Sequence, residues 1–264
     1  MIKPIVQREI LRGWSVDPDT YFGSYDIKVA IEIDPRGDPV WINSRDVYKV
    51  AVQAEPPSIT GGSVDRYLKR SGNKYDLILT YYPEILDEFK NSKFLYFGGS
   101  WIKNQKENFE KNKKLSFVTS NKNFAVGHHL RMEIVNKLSQ NFDLYGRGFN
   151  EIECKDMGLD NYMFSITVEN ISMLNYFTEK INDCFLTKTV PIYYGCTNIG
   201  DFYDERGIIK FNNIDDLIEI IKDLSYEKYL EMLPYIEINY KKALSEIPYN
   251  KRIESLIKEQ IKLR

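Results

Sequence analysis

The chain has 264 residues, of which 43% are hydrophobic and 28% are charged, and its formal net charge is -2. These values are typical of a globular protein with one large or two small domains, and they argue against nucleic acid as a partner. No run of eighteen apolar residues occurs, and the first residues lack the apolar core of a signal peptide. We therefore predict a cytoplasmic protein without a transmembrane anchor.

Two stretches in the first fifth of the chain have the pattern of strands. Apolar residues alternate over 29–33, and the run VYKVAVQA at 47–54 ends at Glu55, which two prolines follow. The prolines fix their own backbone angle and so hold the carboxylate of Glu55 at the carboxyl end of the strand. Glu55 is therefore a candidate residue of a ligand cleft, with an ordinary turn carboxylate as the alternative.

Residues 76–80 and 94–97 predict two further strands, and strands at this spacing predict a small α/β domain. The stretch 104–114 is polar and rich in charge, which is typical of a linker or an exposed helix. We therefore predict a domain boundary here, with an N-terminal domain over residues 1–112.

The chain then restarts with a predicted strand at 115–119, and Ser120 and Asn121 begin the loop after it. The apolar spacing over 130–138 predicts a helix, with Arg131 near its start. A guanidinium at this position can bind a diphosphate through two parallel hydrogen bonds. Position alone suits a surface arginine equally well.

The sequence has two histidines, His128 and His129, at the start of this helix. Adjacent residues point to different sides of a helix, so the pair argues against a two-histidine metal site and favours packing or capping. A strand at 142–145 follows and closes on the Gly-Arg-Gly turn at 146–148, which we interpret as a plain loop.

The sequence contains few motifs that would indicate a metal site or a disulfide framework. The three cysteines, Cys154, Cys184 and Cys196, are unevenly spaced and include no Cys-x-x-Cys pair, which indicates neither a disulfide framework nor a zinc site. The Asp-Pro-Asp triplet at 17–19 has the form of a metal-binding Asp-x-Asp motif. Because its proline and its neighbours favour a turn, we interpret it as a surface turn and predict no metal site.

The stretch 164–195 predicts a βαβ unit, in which a strand, a helix and a second, parallel strand follow one another. Apolar and polar residues alternate over 164–168, and the strand then presents Glu169 and Asn170 at its carboxyl end. A β-branched and aromatic strand over 189–194 completes the unit. In open α/β sheets the ligand lies at such carboxyl ends.

Thr178 is a suitable N-cap for the connecting helix, because its hydroxyl can accept a hydrogen bond from a first-turn amide, and the helix should run to about residue 187. A helix start has unpaired amides and a partial positive charge, and Lys180 adds a full charge, so the position suits phosphate. Glu179 can accept hydrogen bonds from sugar hydroxyls. These groups suggest a site for a sugar-phosphate donor, with an ordinary charged first turn as the alternative.

The run over 169–195, ENISMLNYFTEKINDCFLTKTVPIYYG, resembles the donor-site motif of family 10 glycosyltransferases, the α-1,3-fucosyltransferases. That motif reads roughly F-E-N-S, a short spacer, Y-V-T-E-K and V-P-I-Y-G. The spacing matches from Asn170 through Tyr176 to Glu179 and Lys180. The chain departs from the motif at four positions, Val168, Ile171, Phe177 and Tyr194. None of these departures removes a polar group that the family uses.

The resemblance implies two Rossmann-like domains in a GT-B arrangement, with the active site in the cleft between them. It places the donor in a C-terminal domain over residues 113–248 and the acceptor at the N-terminal domain. The donor-binding residues that it implies are Ser120, Asn121, Arg131, Asn170, Tyr176, Glu179 and Lys180.

The reaction that the resemblance implies is inverting transfer of L-fucose from GDP-fucose to a hydroxyl of a glycan, in an α-1,3 type of linkage. One carboxylate must remove the proton of the attacking hydroxyl, and the Glu-Pro-Pro setting of Glu55 resembles the catalytic segment of the family. Arg131 and Lys180 can stabilise the leaving diphosphate in place of a metal, so we expect no cofactor and no obligatory metal. The alternatives are a transferase with another nucleotide sugar and a non-catalytic module that binds a glycan or a nucleotide sugar.

Residues 215–224 and 226–239 predict two helices that cover the sheet, and residues 249–264 predict a terminal amphipathic helix. In two-domain transferases of this shape such a helix often packs back on the first domain. The terminal helix has five basic residues, Lys251, Arg252, Lys258, Lys262 and Arg264. We interpret this basic face as solvated, with peripheral contact to an anionic membrane as the alternative.

Overall fold

A computed structural model describes residues 5–6, 28–45, 47–104, 106–246 and 248–263. The chain divides into two compact units, Met1–Phe97 together with Ile247–Arg264, and Gly98–Glu246. Each unit contains one five-stranded sheet whose neighbouring strands are all parallel. The predicted α/β class is therefore confirmed, while the Asp-Pro-Asp triplet at 17–19 lies outside the described residues.

The strands are β1 (Ile5–Val6), β2 (Lys28–Ile33), β3 (Val47–Val52), β4 (Leu77–Thr80), β5 (Ser92–Phe94), β6 (Lys113–Val118), β7 (Asp143–Tyr145), β8 (Tyr162–Val168), β9 (Val190–Tyr194) and β10 (Ile209–Lys210). The α-helices are α1 (Pro57–Thr60), α2 (Ser63–Ser71), α3 (Pro83–Glu88), α4 (Val126–Leu138), α5 (Glu179–Leu186), α6 (Ile214–Lys222), α7 (Tyr226–Leu244) and α8 (Tyr249–Lys262).

In the first unit the strands lie in the order β1-β2-β3-β4-β5. Alternate residues of a strand face opposite sides of the sheet. On one side Ala51 and Ile78 lie in one buried cluster with Leu68 of α2. On the other side Val50 lies in a cluster with Ile257 of α8. The terminal helix is therefore part of the first unit, where it covers the sheet face opposite to α2.

The buried face of α8 has an apolar residue at every fourth position, Tyr249, Ile253, Ile257 and Ile261. Arg252 is also buried, and its guanidinium donates hydrogen bonds to the carbonyl oxygens of residues 96–97. Lys251 and Lys258 both form ion pairs with Glu254. Three of the five basic residues of this helix thus have partners within the first unit, and the interpretation of the basic face as solvated is wrong for Arg252, which is buried. Peripheral membrane contact stays the untested alternative. No helix in the described part of the chain is long and apolar enough to cross a membrane.

A strand forms in this stretch as predicted, but its bounds differ, since β5 is Ser92–Phe94 and the prediction was 94–97. The strand begins directly after the turn that follows α3, where Ser92 Oγ donates to the carbonyl oxygen of Phe89 at 2.6 Å. Beyond β5 the amide of Leu95 still donates to the carbonyl oxygen of Thr80 at 2.8 Å, and the carbonyl oxygens of residues 96–97 accept hydrogen bonds from Arg252.

The second unit has the strand order β7-β6-β8-β9-β10. Phe117 of β6, Phe164 of β8 and Val190 of β9 are buried in its core. The chain passes from β6 to β7 on one side and then returns to place β8 on the other side of β6. Such a reversal of strand order is a topological switch point, and a ligand crevice forms there outside the carboxyl ends of the strands.

The segment 98–104 also belongs to the second unit. The buried carboxylate of Asp183 in α5 accepts hydrogen bonds from Ser100 Oγ at 2.6 Å and from the amide of Trp101 at 2.8 Å. The compact units therefore divide before this segment, whereas the boundary was predicted after residue 112. The two positions differ because residues 100–101 bond to Asp183, about eighty positions further along the chain. A local pattern of charge does not reveal such a contact.

Candidate functional site

The carboxyl ends of β6 and β8 lie side by side at the switch point of the second sheet. Glu169 and Asn170 directly follow β8. The amide of Gly127, in the first turn of α4, donates to the carbonyl oxygen of Asn170 at 2.9 Å. The amide of Thr178, directly before α5, donates to Glu169 Oε1 at 2.8 Å. Two helix N-termini thus meet the end of one strand, and helix N-termini attract anions.

Glu169 is fully buried and organises the start of α5. Its two carboxylate oxygens lie 3.0 and 2.8 Å from the hydroxyl of Thr178, and Lys180 Nζ lies 3.2 Å from Oε2. A buried carboxylate is tolerated when hydrogen bonds and an opposite charge compensate it, as they do here. Glu169 therefore holds the ammonium group of Lys180 in place.

Thr178 is the N-cap residue of α5, as predicted, but its hydroxyl makes no capping hydrogen bond. The predicted bond to a first-turn amide is wrong. The hydroxyl donates to the carboxylate of Glu169 and accepts from Lys180 Nζ at 2.8 Å, because these charged partners form stronger hydrogen bonds than a neutral amide does. The side chain of Thr178 therefore leaves the first-turn amides of α5 uncapped.

Glu179 and Lys180 place a carboxylate and an ammonium group side by side. Glu179 is buried, and its Oε1 lies 3.5 Å from Lys180 Nζ. Burial by itself raises the pKa of Glu179, but the charges of Lys180 and Lys155 outweigh it and bring the pKa below its ordinary value. Glu179 is therefore ionised at neutral pH. The side chain of Lys180 is 22% exposed, so part of this lysine can reach a ligand.

Arg131 of α4 is buried and directed at the end of β8. Its Nε and Nη2 donate to the carbonyl oxygen of Val168 at 3.0 and 2.5 Å, and Nη2 also donates to Asn170 Oδ1 at 2.9 Å. Burial lowers the pKa of Arg131, and the charge of Glu169 partly offsets that effect. Arginine stays protonated at neutral pH in proteins, so the site contains a second cation beside the partly exposed Lys180, and this one is buried.

Gly127 allows α4 to approach the end of β8. A Cβ atom at this position would lie 1.9 Å from the carbonyl oxygen of Glu169 and 2.8 Å from backbone atoms of Asn170. Backbone atoms cannot move aside as a flexible side chain can. Glycine is therefore required if the first turn of α4 and the strand end are to keep this contact.

The structure brings five of the seven predicted donor-site residues into one network. Asn170 joins Arg131 to Tyr176, since its Oδ1 accepts from Arg131 and its Nδ2 lies 3.4 Å from the buried hydroxyl group of Tyr176. Lys180 forms ion pairs with both Glu169 and Glu179, and the charges of these two carboxylates act on Arg131, which links the two groups electrostatically. Their roles in donor binding stay predictions.

Ser120 and Asn121 lie outside this network, in the loop after β6. Asn121 is exposed, and its amide donates to the carbonyl oxygen of Arg147 at 3.1 Å. A Cβ atom at Gly148 would lie 2.3 Å from the side chain of Asn121. The glycines of the 146–148 turn thus make room for the chain's own loop, which agrees with its interpretation as a plain loop.

Glu55 lies in the first unit, between the end of β3 and the start of α1. Asp34, which follows β2, accepts hydrogen bonds from the amides of Ala54 and Glu55 at 2.9 and 3.1 Å. Asp34 has a left-handed backbone with a φ of 49°. Burial raises the pKa of Asp34 to about 6, and the charge of Glu55 contributes to that rise. A second carboxylate therefore fixes the backbone at Glu55.

The sequence analysis placed Glu169 at the carboxyl end of its strand but gave it no role in donor binding, and it did not single out Asp34. Asp34 is also a carboxylate that directly follows a strand, so the same signal could have identified it. What the sequence did not show is that Glu169 would be buried against Lys180. Among the described residues, no group of three or more His, Cys, Asp or Glu side chains is arranged to hold a metal ion.

Comparison with known proteins identifies relatives of this chain. Residues 108–246 match the model for glycosyltransferase family 10 (fucosyltransferase), C-terminal part. An alpha-(1,3)-fucosyltransferase of Helicobacter pylori, FucT, is 34% identical over 91 residues, and an alpha-(1,4)-fucosyltransferase of Arabidopsis thaliana is 29% identical over 79 residues. These matches cover 33% and 29% of this chain and 19% of each relative. The chain thus aligns with about a fifth of the length of these curated relatives.

Solved structures share the fold. A crystal structure of an alpha1,3-fucosyltransferase matches with a TM-score of 0.53 at 19% identity, covering 86% of this chain and 78% of that chain. The crystal structure of TarM matches with a TM-score of 0.61 at 14% identity, covering 88% of this chain and 54% of that chain. These neighbours are GT-B glycosyltransferases, which confirms the predicted fold class.

The match to the family model includes the network described above. Residues 108–246 make up just over half of the chain, and they contain Arg131 and the whole stretch from Glu169 to Lys180. The chain therefore belongs to glycosyltransferase family 10, the fucosyltransferase family.

Proposed function

We propose that this chain is an inverting fucosyltransferase, which transfers L-fucose from GDP-fucose to a hydroxyl of a glycan acceptor in an α-1,3 type of linkage. Family membership supports the class of reaction. The relative from Helicobacter pylori is an alpha-(1,3)-fucosyltransferase, which supports the linkage. Two solved neighbours are alpha1,3-fucosyltransferase structures with GDP and with GDP-fucose, which supports the donor.

The observation that carries the proposal is the buried network at the start of α5. Glu169 holds Lys180 directly beside first-turn amides that Thr178 leaves uncapped. Ammonium, guanidinium and helix amides, fixed before a ligand arrives, stabilise the charge that develops on a leaving diphosphate. We therefore assign the diphosphate to Lys180 and Arg131 and a sugar hydroxyl to Glu179, with Asn170 and Tyr176 as supports. Because the protein supplies these cations, we propose that no divalent metal is required.

Glu55 is the proposed general base. The acceptor oxygen attacks the anomeric carbon on the face opposite to the diphosphate, and the bond from that carbon to the diphosphate oxygen breaks. The electron pair of that bond leaves with GDP, and the proton of the acceptor hydroxyl moves to the carboxylate of Glu55. This single displacement inverts the anomeric centre. The three free cysteines suit the reducing cytoplasm that we propose for this reaction.

The donor assignment is tested by calorimetric titration of GDP into the wild type and variants. Lys180→Ala should weaken GDP binding by about 1.5 to 3 kcal/mol, which is typical of hydrogen bonds to charged groups. Arg131→Ala should weaken it as well. Lys137→Ala is the control, because Lys137 is an exposed lysine at the far end of α4 and its pair with Glu133 is exposed. Equal affinity in all four proteins would contradict the assignment.

Glu55→Gln tests the base. It keeps the size of the side chain, and the backbone bond from residue 55 to Asp34 does not involve the changed atoms. Loss of a general base should slow transfer about 100- to 10,000-fold, with GDP-fucose affinity unchanged. Loss of donor affinity with unchanged turnover would make Glu55 a donor ligand or a structural residue. The melting temperature of the variant shows whether it is folded.

A panel of donors separates the proposed reaction from the two alternatives. Thermal shift and turnover are measured with GDP-fucose, GDP-mannose and UDP-sugars, with and without EDTA. Transfer from GDP-fucose in the presence of EDTA supports the full proposal. Binding without turnover on any glycan indicates a binding module, and transfer from another donor alone corrects the donor.

A further inference from the structure

His128 has a buried nitrogen atom without a hydrogen-bond partner. The side chain lies in the first turn of α4 and is 3% exposed, and its Nδ1 makes no hydrogen bond to any described residue. Burying a polar nitrogen without a partner has a substantial free-energy cost, and native proteins rarely leave such atoms unpaired. The atom therefore points to a partner that the polypeptide itself does not provide.

Positive charge dominates the surroundings of His128. The charges that act on its imidazole ring are those of Arg131 on its own helix, Lys122 in the loop after β6, Lys180 at the start of α5, and the adjacent His129. Burial and then these cations lower the pKa of His128 to about 4, so the ring is neutral at pH 7.

The other groups near this ring do not satisfy its nitrogen. The ring of Phe124 packs against it at a centroid distance of 4.4 Å and provides no acceptor. The carboxylates at this edge of the sheet, Glu169 and Glu179, both bond or pair with Lys180. A neutral imidazole keeps one N–H group, which can donate to an anion that several cations have already attracted.

We propose that His128 is a donor-site residue whose Nδ1–H donates a hydrogen bond to a phosphate oxygen of the diphosphate held by Arg131 and Lys180. The proposal rests on the donor site of the proposed function and adds a neutral donor to its two cations. The chemistry that it recognises is a phosphate or diphosphate anion at the N-terminus of α4, a 13-residue helix. No proton is transferred in this role.

An anion beside the ring would also change its titration, since a negative charge favours the protonated imidazole. The pKa of His128 should therefore rise when a diphosphate binds. The chain offers an internal control, because His129 is exposed whereas His128 is buried. The sequence has two histidines, so labelled histidine gives two sets of ring signals.

The experiment is a pH titration by NMR of the full chain, labelled with ¹⁵N in histidine, in the free state and saturated with GDP or, separately, with inorganic pyrophosphate. His129→Gln assigns the signals. We expect the His128 signals to shift on binding and the pKa of His128 to rise by one unit or more, while the His129 signals stay unchanged. GDP affinity, measured by calorimetry, should fall about tenfold or more in His128→Phe, recover in His128→Asn, which keeps an N–H donor, and stay unchanged in His129→Phe.

The outcomes separate this inference from the donor assignment. If GDP binds while the His128 signals and the affinity of His128→Phe stay unchanged, His128 is a packing residue and the donor site stands without it. If pyrophosphate shifts the His128 signals and GDP does not bind, the anion site stands and the donor assignment is wrong. If neither compound binds, both are overturned. The NMR measurement uses the wild-type side chain, so it decides the question even where His128→Phe does not fold.

Discussion

Glu169 is a single residue on which the start of α5 depends, since its carboxylate binds both Thr178 and Lys180 while itself fully buried. Glu169→Ala should lower the free energy of unfolding by about 1 to 3 kcal/mol, because it leaves the amide and hydroxyl of Thr178 without their buried acceptor and leaves Lys180 with Glu179 as its remaining carboxylate partner. Urea unfolding followed by circular dichroism measures this change.

The matched control is Glu219→Ala, which removes an exposed partner of Lys222 on α6. Exposed ion pairs contribute little, so this variant should change the free energy of unfolding by less than about 1 kcal/mol. Equal effects of the two substitutions would show that Glu169 does not organise the site.

Lys111 is a second residue whose effect on stability can be tested, because burial disfavours its charged form. Burial lowers the pKa of Lys111 from its ordinary value of 10.5 to about 7, and its Nζ bonds to Thr189 Oγ1 at 2.8 Å. Between these two pKa values the unfolded chain binds a proton that the folded chain lacks. Stability contributed by this group should therefore rise with pH from about 7 towards 10, by at most about 1.4 kcal/mol per pH unit.

Lys111→Met removes the titrating group while keeping an unbranched side chain. Urea unfolding at several pH values from 7 to 9.5 should show that the wild type gains stability relative to Lys111→Met as the pH rises. Other titrating groups affect both proteins alike and cancel in the difference. A difference that is constant with pH would show that Lys111 keeps an ordinary pKa in the folded chain.

At the scale of elements, the contact between the first turn of α4 and the end of β8 positions Arg131 in the network. Gly127→Ala would place a methyl group 1.9 Å from the carbonyl oxygen of Glu169, so the helix must move away from the strand. Overpacking of this kind costs about 1 to 3 kcal/mol of stability. GDP binding should weaken too, because Arg131 moves with the helix. Thermal unfolding and GDP calorimetry measure the two effects.

Gly37→Ala is the control, since a Cβ atom at Gly37 would have no atom within 4 Å and the residue has no left-handed backbone. It should leave both stability and GDP affinity almost unchanged. Unchanged GDP affinity in a folded Gly127→Ala variant would separate the helix contact from ligand binding.

At the scale of the whole molecule, a terminal helix completes the core of the first unit. Ile257 of α8 is fully buried in the cluster that includes Val50 and Leu79, so Ile257→Ala should cost about 2 to 5 kcal/mol. Hydrogen exchange should show lower protection in β3 and β4 of this variant. Lys262→Ala, an exposed change on the same helix, should leave exchange unchanged. Loss of protection with both substitutions, or with neither, would contradict the structural role of this helix.

The amino-acid sequence determined the local part of this fold and site. The alternation over 164–168, the β-branched run at 189–194 and the N-cap position of Thr178 led to the βαβ unit, because strand and helix periods depend on neighbouring side chains. The spacing from Asn170 to Lys180 led to the family, since a phosphate site at a helix start needs its polar groups at fixed positions in one loop.

The tertiary structure decided which of these groups act together. Arg131 binds the carbonyl oxygen of Val168, and Asp183 accepts hydrogen bonds from residues 100–101, so both pairings join elements distant in the chain. Glu169 and Lys180 are close in the chain, but their ion pair forms where the end of β8 meets the start of α5. The role of α8 also depends on packing, because its apolar residues cover the face of the first sheet opposite to α2. A sequence pattern indicates whether a side chain prefers burial. The partner of that side chain follows from strand order and helix packing, because only these bring residues distant in the chain within hydrogen-bond range.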